Sequence, residues 1–310
     1  MTDNSPTTGQ QDQARPRFRV GSAPDSWGVW FPADPRQTPW TRFLDEIARA
    51  GYEWLELGPH GYLPPDAGTL RPELKARGLR LAGGTAGGPL HRCAELPAIR
   101  AQMLDVARLA SDLGAGYLVF LPAMYRDLSD GRQLEPAELD ADQWRALTEG
   151  ADHLARVLRD ETGMRFVFHP HAESHVETDE QVRRFLAGTD PERVGLCLDT
   201  GHVAYTRGDA PSLIREHAGR IWYAHLKAVD PGVLAQVEAE RLSFADAVQR
   251  NVMCEPGLGV PALDDLADAF GSLPDGTFVI VEQDLYPCDF GRPYPIAART
   301  RKTLHAAGIG

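Results

Sequence analysis

Short apolar runs alternate along this chain with longer amphipathic stretches. The first run, residues 18–23, ends in Ala23-Pro24-Asp25. Residues 40–50 then carry Phe43, Ile47 and Ala48 on one helical face, with Gly51 placed to cap the end. Further strands are expected over 54–57, stopping at Gly58-Pro59, and over 80–82, followed by the glycine-rich turn 83–88. The remaining strands are expected over 117–121, 165–168, 194–198, 221–224 and 278–281. Helices are expected over 97–113 and 136–159, each with proline in the first turn, where a missing N–H is harmless. Shorter ones are expected over 179–187, 211–217, 263–270 and 296–306.

This pattern predicts eight strands, each followed by a crossover. The strands are near-continuous apolar runs, as a sheet covered on both faces requires. Such alternation points to a single closed (β/α)8 barrel of the α/β class. A doubly wound open sheet would place a glycine-rich fingerprint after the first strand. That turn reads Ala23-Pro24-Asp25-Ser26-Trp27 instead. With no composition break and no internal repeat, the barrel is expected to fill residues 18–310. Residues 1–17, rich in Thr, Gln, Asp and Pro, are expected to be a disordered tail.

Length agrees, since 310 residues suit one barrel with loop insertions. The 44 acidic residues outnumber the 32 basic ones, for a formal charge of −12, which argues against nucleic acid as a partner. Four scattered cysteines without a C-x-x-C pair exclude a disulfide framework, and Cys197, inside an apolar run, is expected to be a small core residue. The start has no apolar signal region, and no apolar run approaches the roughly 20 residues needed to span a bilayer. The expected location is therefore the cytoplasm, with no membrane partner.

In such a barrel, chemistry sits at the carboxyl ends of the strands. The fifth strand runs into His169-Pro170-His171, the sixth ends Leu198-Asp199-Thr200-Gly201-His202, the seventh Ala224-His225-Leu226-Lys227 and the eighth Val281-Glu282. Four consecutive strands thus end in His, Asp, His and Glu, converging on the barrel axis. One such residue alone would more often be a cap; four in register point to a single divalent cation. Imidazole and carboxylate together suit Mn²⁺, Co²⁺, Zn²⁺ or Fe²⁺ better than Ca²⁺. His169 and His171 are two apart and point the same way, so one is a ligand and the other a substrate or supporting group. His202 either contacts substrate or orients Asp199. Lys227 is placed either to bind a substrate oxygen or as an ordinary loop cation, and Glu56 to face the polar end of the barrel. Trp27, with Trp30 and Phe31, follows the first strand and could wall a substrate against water. Glu177 lies further out, beside Thr178, either as a catalytic carboxylate or as a helix N-terminal charge. His60, His91 and His175 occupy weaker positions and are expected to be solvated.

Several of these segments resemble the xylose-isomerase-like TIM-barrel superfamily, the sugar phosphate isomerase/epimerase group. They are Ala23-Pro24-Asp25-Ser26-Trp27-Gly28, Gly51-Tyr52-Glu53-Trp54-Leu55-Glu56-Leu57-Gly58, His169-Pro170-His171, Leu198-Asp199-Thr200-Gly201-His202 and His225-Leu226-Lys227. The likeness covers nearly all of the chain after residue 17, and within the superfamily it is nearest to the inosose dehydratases of inositol catabolism. It implies one divalent metal, Mn²⁺ or Co²⁺ first, with Zn²⁺, Fe²⁺ and Mg²⁺ as the other options, held at His169, Asp199, His225 and Glu282. The common residue at the first of these positions is Glu. Inosose dehydratases carry His-x-His there, which leaves His169 and His171 as alternatives.

The function implied is metal-dependent dehydration of 2-keto-myo-inositol to a cyclic dione through an enediolate. Glu282 or Glu177 is the candidate base, and His171 or His202 the proton donor to the departing hydroxyl. Trp27, Glu56, His171, His202 and Lys227 are the candidate substrate contacts. The alternatives are a metal-dependent ketose isomerase or 3-epimerase, and a catalytically inactive sugar-binding barrel. The expected partner is a small polyhydroxylated carbonyl compound, with a homodimer as the expected assembly.

Overall fold

Eight parallel strands close on themselves in the computed structural model, which describes residues 17–310. They are β1 (Arg19–Ser22), β2 (Trp54–Glu56), β3 (Arg80–Gly88), β4 (Tyr117–Pro122), β5 (Arg165–Phe168), β6 (Val194–Asp199), β7 (Ile221–Leu226) and β10 (Phe278–Val281). The circular order is β1-β10-β7-β6-β5-β4-β3-β2. Ser22 pairs with Val281 on one side of β1 and with Leu55 on the other, so the sheet has no free edge. The expected (β/α)8 barrel is therefore present; the expected tail, apart from Arg17, lies outside the described residues.

Helices α1 (Trp40–Arg49), α2 (Ala67–Ala76), α3 (Leu96–Asp112), α4 (Ala141–Thr162), α5 (Asp179–Ala187), α6 (Thr200–Tyr205), α7 (Ala210–Glu216), α10 (Leu263–Phe270) and α11 (Pro293–Ala306) follow the barrel strands. Among the described residues, no helix is long and apolar enough to cross a membrane. The outward side chains of the strands pack under these helices. Phe168, for instance, stacks on Phe185 of α5 at 4.0 Å between ring centroids. Inside the barrel a second cluster joins Ala82, Val119, Val167, Cys197, Tyr223, Phe278 and Ile280.

That inner cluster fixes the site. Side chains on a strand alternate faces with a period of two. Two residues beyond Val167, Cys197, Tyr223 and Ile280 stand His169, Asp199, His225 and Glu282. The apolar layer thus forms the floor, and the ligand-type residues form the layer above it.

The structure departs from the sequence expectation in several places. β3 continues through the glycine-rich run to Gly88 and pairs along β4 from Gly83↔Tyr117 to Gly88↔Pro122. The glycines let neighbours close in: a Cβ on Gly87 would meet the Leu121 carbonyl oxygen at 2.5 Å, and one on Gly84 would meet Val106 of α3 at 2.8 Å. α4 begins at Ala141, not at Pro136. Asp140 and Gln143 form a reciprocal capping box that outcompetes the proline. α2 was not anticipated, because Gly68 and Pro72 interrupt its pattern; it buries only Leu70 and Leu74.

The largest departure follows β7. There β8 (Ala228–Val229), α8 (Pro231–Glu240), α9 (Phe244–Gln249) and β9 (Met253–Cys254) form an excursion before α10. Its own apolar cluster joins Val229, Leu234, Phe244, Val248 and Met253 to Ala172 and Ala204 from the neighbouring loops. This excursion roofs the carboxyl end of the barrel.

Candidate metal centre

Each of the four strand-end residues is oriented by its own backbone. Asp199 ends β6 and caps α6: its Oδ1 accepts from the Gly201 and His202 N–H groups at 2.7 and 2.9 Å. Its Oδ2 is left facing the barrel axis. His169 extends β5, its N–H donating to the Phe120 carbonyl at 2.9 Å. His225 pairs with Asp199 across β6 and β7. The Glu282 N–H donates to the Leu226 carbonyl at 3.1 Å, which carries the β7–β10 ladder one residue further.

The result is one ring. Ligand atoms of His169, Asp199, His225 and Glu282 all lie within 4.8 Å of one another, and all four residues are buried. His169 Nε2 is 3.4 Å from Asp199 Oδ2, and His225 Nδ1 is 3.0 Å from Glu282 Oε2. His169, and not His171, is the histidine that joins this ring.

The donor set fits a divalent cation on two counts. Both ring nitrogens of His169, Nδ1 of His225 and Oδ2 of Asp199 are buried without a well-aligned hydrogen bond, even where a charged neighbour stands close. Orphaned polar atoms of this kind carry a desolvation penalty of about 1–3 kcal/mol each unless something binds them. Charge is the second count. Asp25, Asp199, Glu282 and Asp284 crowd around one buried lysine, Lys227. Its Nζ lies 2.9 Å from Asp284, 3.1 Å from Glu282 and 3.3 Å from Asp199.

The crowding moves the titrations. Burial opposes the charge on Asp199, but Lys227 and the neighbouring histidines outweigh it and hold the carboxyl well below its usual range. Burial likewise opposes ionisation of Glu282, and His225 and Lys227 bring it down to about 2. Asp25 goes the other way: burial, then Glu282 and Asp284, raise it well above the ordinary carboxylate range. Burial pushes His171 down to about 3 and drives His202 well below its usual value.

The ring opens into a cavity of about 490 Å³ whose walls include Asp25, Trp30, His171, His202, Lys227 and Phe244. The His171 and His202 rings lie 3.7 Å apart, centroid to centroid, under Phe244 of the excursion. His171 Nδ1 donates to the Ala172 carbonyl at 2.7 Å, which leaves Nε2 as an acceptor. Lys227 is locked from behind: its N–H donates to Thr200 Oγ1, and that hydroxyl donates to the Lys227 carbonyl. Gly201 is required there, since a Cβ would come within 2.5 Å of the Lys227 side chain.

Three expected site residues stand elsewhere or act differently. Glu177 does not line the cavity. Its oxygens accept from the Tyr125 hydroxyl at 2.8 Å and the Glu173 N–H at 2.7 Å, so it braces the loop after β5. Trp27 is fully buried against Phe43, and its indole donates to Glu46 at 3.0 Å. The 3-10 turn Pro24–Trp27 points it into the core, and Trp30 takes the cavity wall instead, with its indole on Asp284 at 3.1 Å. Glu56 is 2% exposed and engages His225 Nε2 at 2.7 Å and the Thr85 hydroxyl at 3.3 Å. It still lines the cavity, and its contact leaves the His225 ring with Nδ1 toward the axis, as carboxylate partners of metal-ligating histidines do. His91 and His175, expected to be solvated, are buried.

Sequence reasoning missed Asp25, Asp284 and Phe244 as wall residues. Asp25 and Asp284 could have been found by extending the strand-end inspection to β1 and one turn beyond β10. Phe244 carries no such signal, because only the fold brings the excursion over the mouth.

Known proteins agree with this architecture. An inosose dehydratase of Geobacillus kaustophilus (strain HTA426) is 30% identical over 295 residues, 93% of this chain and 94% of that protein. The rhizopine catabolism protein MocC of Rhizobium meliloti is 36% identical over 233 residues, 72% of this chain and 67% of that protein. Among solved structures, an IOLI protein with a bound zinc atom superposes with a TM-score of 0.71 at 15% identity, covering 94% of this chain and 98% of that one. Residues 44–303 match the family described as xylose isomerase-like TIM barrel, and the chain belongs to that family.

Proposed function

We propose that this enzyme is a hydro-lyase that removes water from a keto-inositol, 2-keto-myo-inositol to a cyclic dione, with one divalent metal ion. The observation that carries the reading is the ring of His169, Asp199, His225 and Glu282 at the base of a cavity that Asp25, His171, His202 and Lys227 also line. Those four residues would hold the ion. When bound, it supplies Lewis acidity that makes a C–H next to a carbonyl easier to ionise.

The chain's own residues divide the remaining work. Glu282, ionised at neutral pH and facing the cavity, is the base for the α-proton. His202 lines the cavity with its Nε2 3.8 Å from Asp199 Oδ2 and gives a ring N–H hydrogen bond to the departing hydroxyl, which leaves as water with the proton taken up by Glu282. His171, with Nε2 fixed as acceptor, receives a hydrogen bond from a substrate hydroxyl. Lys227 offers its ammonium to the developing oxyanion. Trp30 and Phe244 shut out bulk water and give the apolar face of a ring a surface to lie on.

A 3-epimerase must take a proton from one face and return it to the other, most simply with a carboxylate on each side. Here the ring position across from Glu282 is His169, which supports elimination over epimerisation. The identity to the inosose dehydratase of G. kaustophilus supports it as well. The 36% identity to the R. meliloti protein supports a second reading, in which the substrate is a compound of rhizopine catabolism.

Mass spectrometry of the products separates these readings. Loss of one water from 2-keto-myo-inositol supports the dehydratase. Conversion of ketoses at constant mass, without loss of water from any keto-inositol, overturns it.

A further inference from the structure

Behind the cavity wall, three loops meet at one carboxylate. His91 follows β3, Glu135 lies between β4 and α4, and His175 follows β5. His91 Nε2 is 3.0 Å from Glu135 Oε2, and His175 Nε2 is 3.2 Å from Glu135 Oε1. The two imidazoles meet edge to face with centroids 4.6 Å apart. Both histidine side chains are buried, at 2% and 3% exposure, and Glu135 is at 13%. One ligand atom from each lies within 4.8 Å of the others. Arg92 reaches the same carboxylate from the rim, donating to Oε2 at 2.9 Å.

Tautomers decide what belongs between these atoms. A backbone carbonyl can only accept, so the 2.9 Å contact of His175 Nδ1 with the Ala137 oxygen puts the proton on Nδ1. In neutral His175, Nε2 is then a lone pair facing a carboxylate oxygen. Two acceptors at 3.2 Å need a cation or an added proton between them. An imidazole whose Nδ1–H is held by a carbonyl is the form that ligates metals through Nε2. Tetrahedral zinc, with bonds of about 2.0–2.2 Å to nitrogen and oxygen, sets neighbouring ligand atoms roughly 3.3 Å apart. The two observed contacts, 3.0 Å from His91 to Oε2 and 3.2 Å from His175 to Oε1, reach different oxygens of the one carboxylate, and each is close to that spacing.

We propose that His91, Glu135 and His175 form a second divalent-cation site, of zinc type, that ties the loops after β3, β4 and β5 together. None of the three lines the cavity, so the ion is structural and the inference stands apart from the reaction proposed above. Arg92 sits in the outer layer, hydrogen-bonded to the ligating carboxylate. Tyr125 links the two regions, its ring 5.8 Å from that of His175 and its hydroxyl on Glu177.

The test is metal stoichiometry. Metal-free protein is loaded with Zn²⁺ or Co²⁺, passed through a desalting column and assayed for bound metal. Three proteins are compared: wild type, His91→Gln with His175→Gln, and Asp199→Asn with His225→Gln. The site predicts two equivalents in wild type and one in each double variant. It also predicts a strong tetrahedral Co²⁺ absorption that survives the Asp199/His225 changes. If the double histidine variant at 91 and 175 fails to fold, Glu135→Gln replaces it, and the wild-type count needs no variant. A single equivalent in wild type, or two equivalents retained after the His91/His175 or Glu135 changes, overturns the proposal and leaves a proton-bridged ion pair.

Discussion

Glu56 holds His225 through one 2.7 Å hydrogen bond inside the barrel, and Glu56→Gln removes its charge while keeping an acceptor. A hydrogen bond to a charged group contributes about 1.5–3 kcal/mol. Outer partners of metal-ligating histidines are worth roughly 10- to 100-fold in metal affinity or activity. At 1.4 kcal/mol per tenfold, the two ranges agree. Glu56→Gln keeps the ring in place but lowers its basicity, so metal affinity should fall about 10-fold, at the mild end of that range. Glu56→Ala also frees the ring to rotate, and the loss should approach about 100-fold. Competition with a chromogenic chelator measures the affinity, and turnover at saturating metal separates binding from chemistry. The glutamine variant should recover most of its kcat when metal is in excess. Wild-type affinity in Glu56→Ala would refute the reasoning, because His225 would then need no partner to present Nδ1.

Phe244→Ala should destabilise the protein by about 3–5 kcal/mol in urea unfolding and raise KM, since Phe244 is a buried member of the roof cluster that also covers His171 and His202. Trp27→Phe should lose about 1.5–3 kcal/mol with its bond to the Glu46 carboxylate and leave KM unchanged; an altered KM would return Trp27 to the substrate wall. Burial alone would raise Glu135, but Arg92, His91 and His175 bring it down to about 2. A carboxyl depressed on folding stabilises above its unfolded value and loses that contribution as pH falls through its folded one. The melting-temperature gap between wild type and Glu135→Gln should therefore narrow as pH drops from about 4.5 toward about 2.

Much of this was legible in the chain because two periodicities overlap. The strand runs marked the barrel, and reading what stands at their ends found His169, Asp199, His225 and Glu282. What stayed hidden depended on three-dimensional competition. His169 and His171 point the same way along one strand, and only the distance to Asp199 and His225 separates them. Trp27 and Trp30 are both aromatic and three apart, yet the turn at Pro24–Trp27 sends one into the core and the other to the cavity. The glycines of β3 read as a turn because glycine usually breaks strands; here they admit the neighbouring strand and helix. The excursion between β7 and α10 left no strand-like signal, because its two strands are two residues each.

The central claim is that the ring of His169, Asp199, His225 and Glu282 runs a metal-dependent dehydration. The most direct measurement follows the ultraviolet absorbance of a dione when purified protein, with Mn²⁺ or Co²⁺, meets 2-keto-myo-inositol. The account predicts absorbance that rises with added metal, vanishes with a chelator, and is lost together with bound metal in His225→Ala. Full turnover in chelator-treated protein, or in His225→Ala without bound metal, would contradict it.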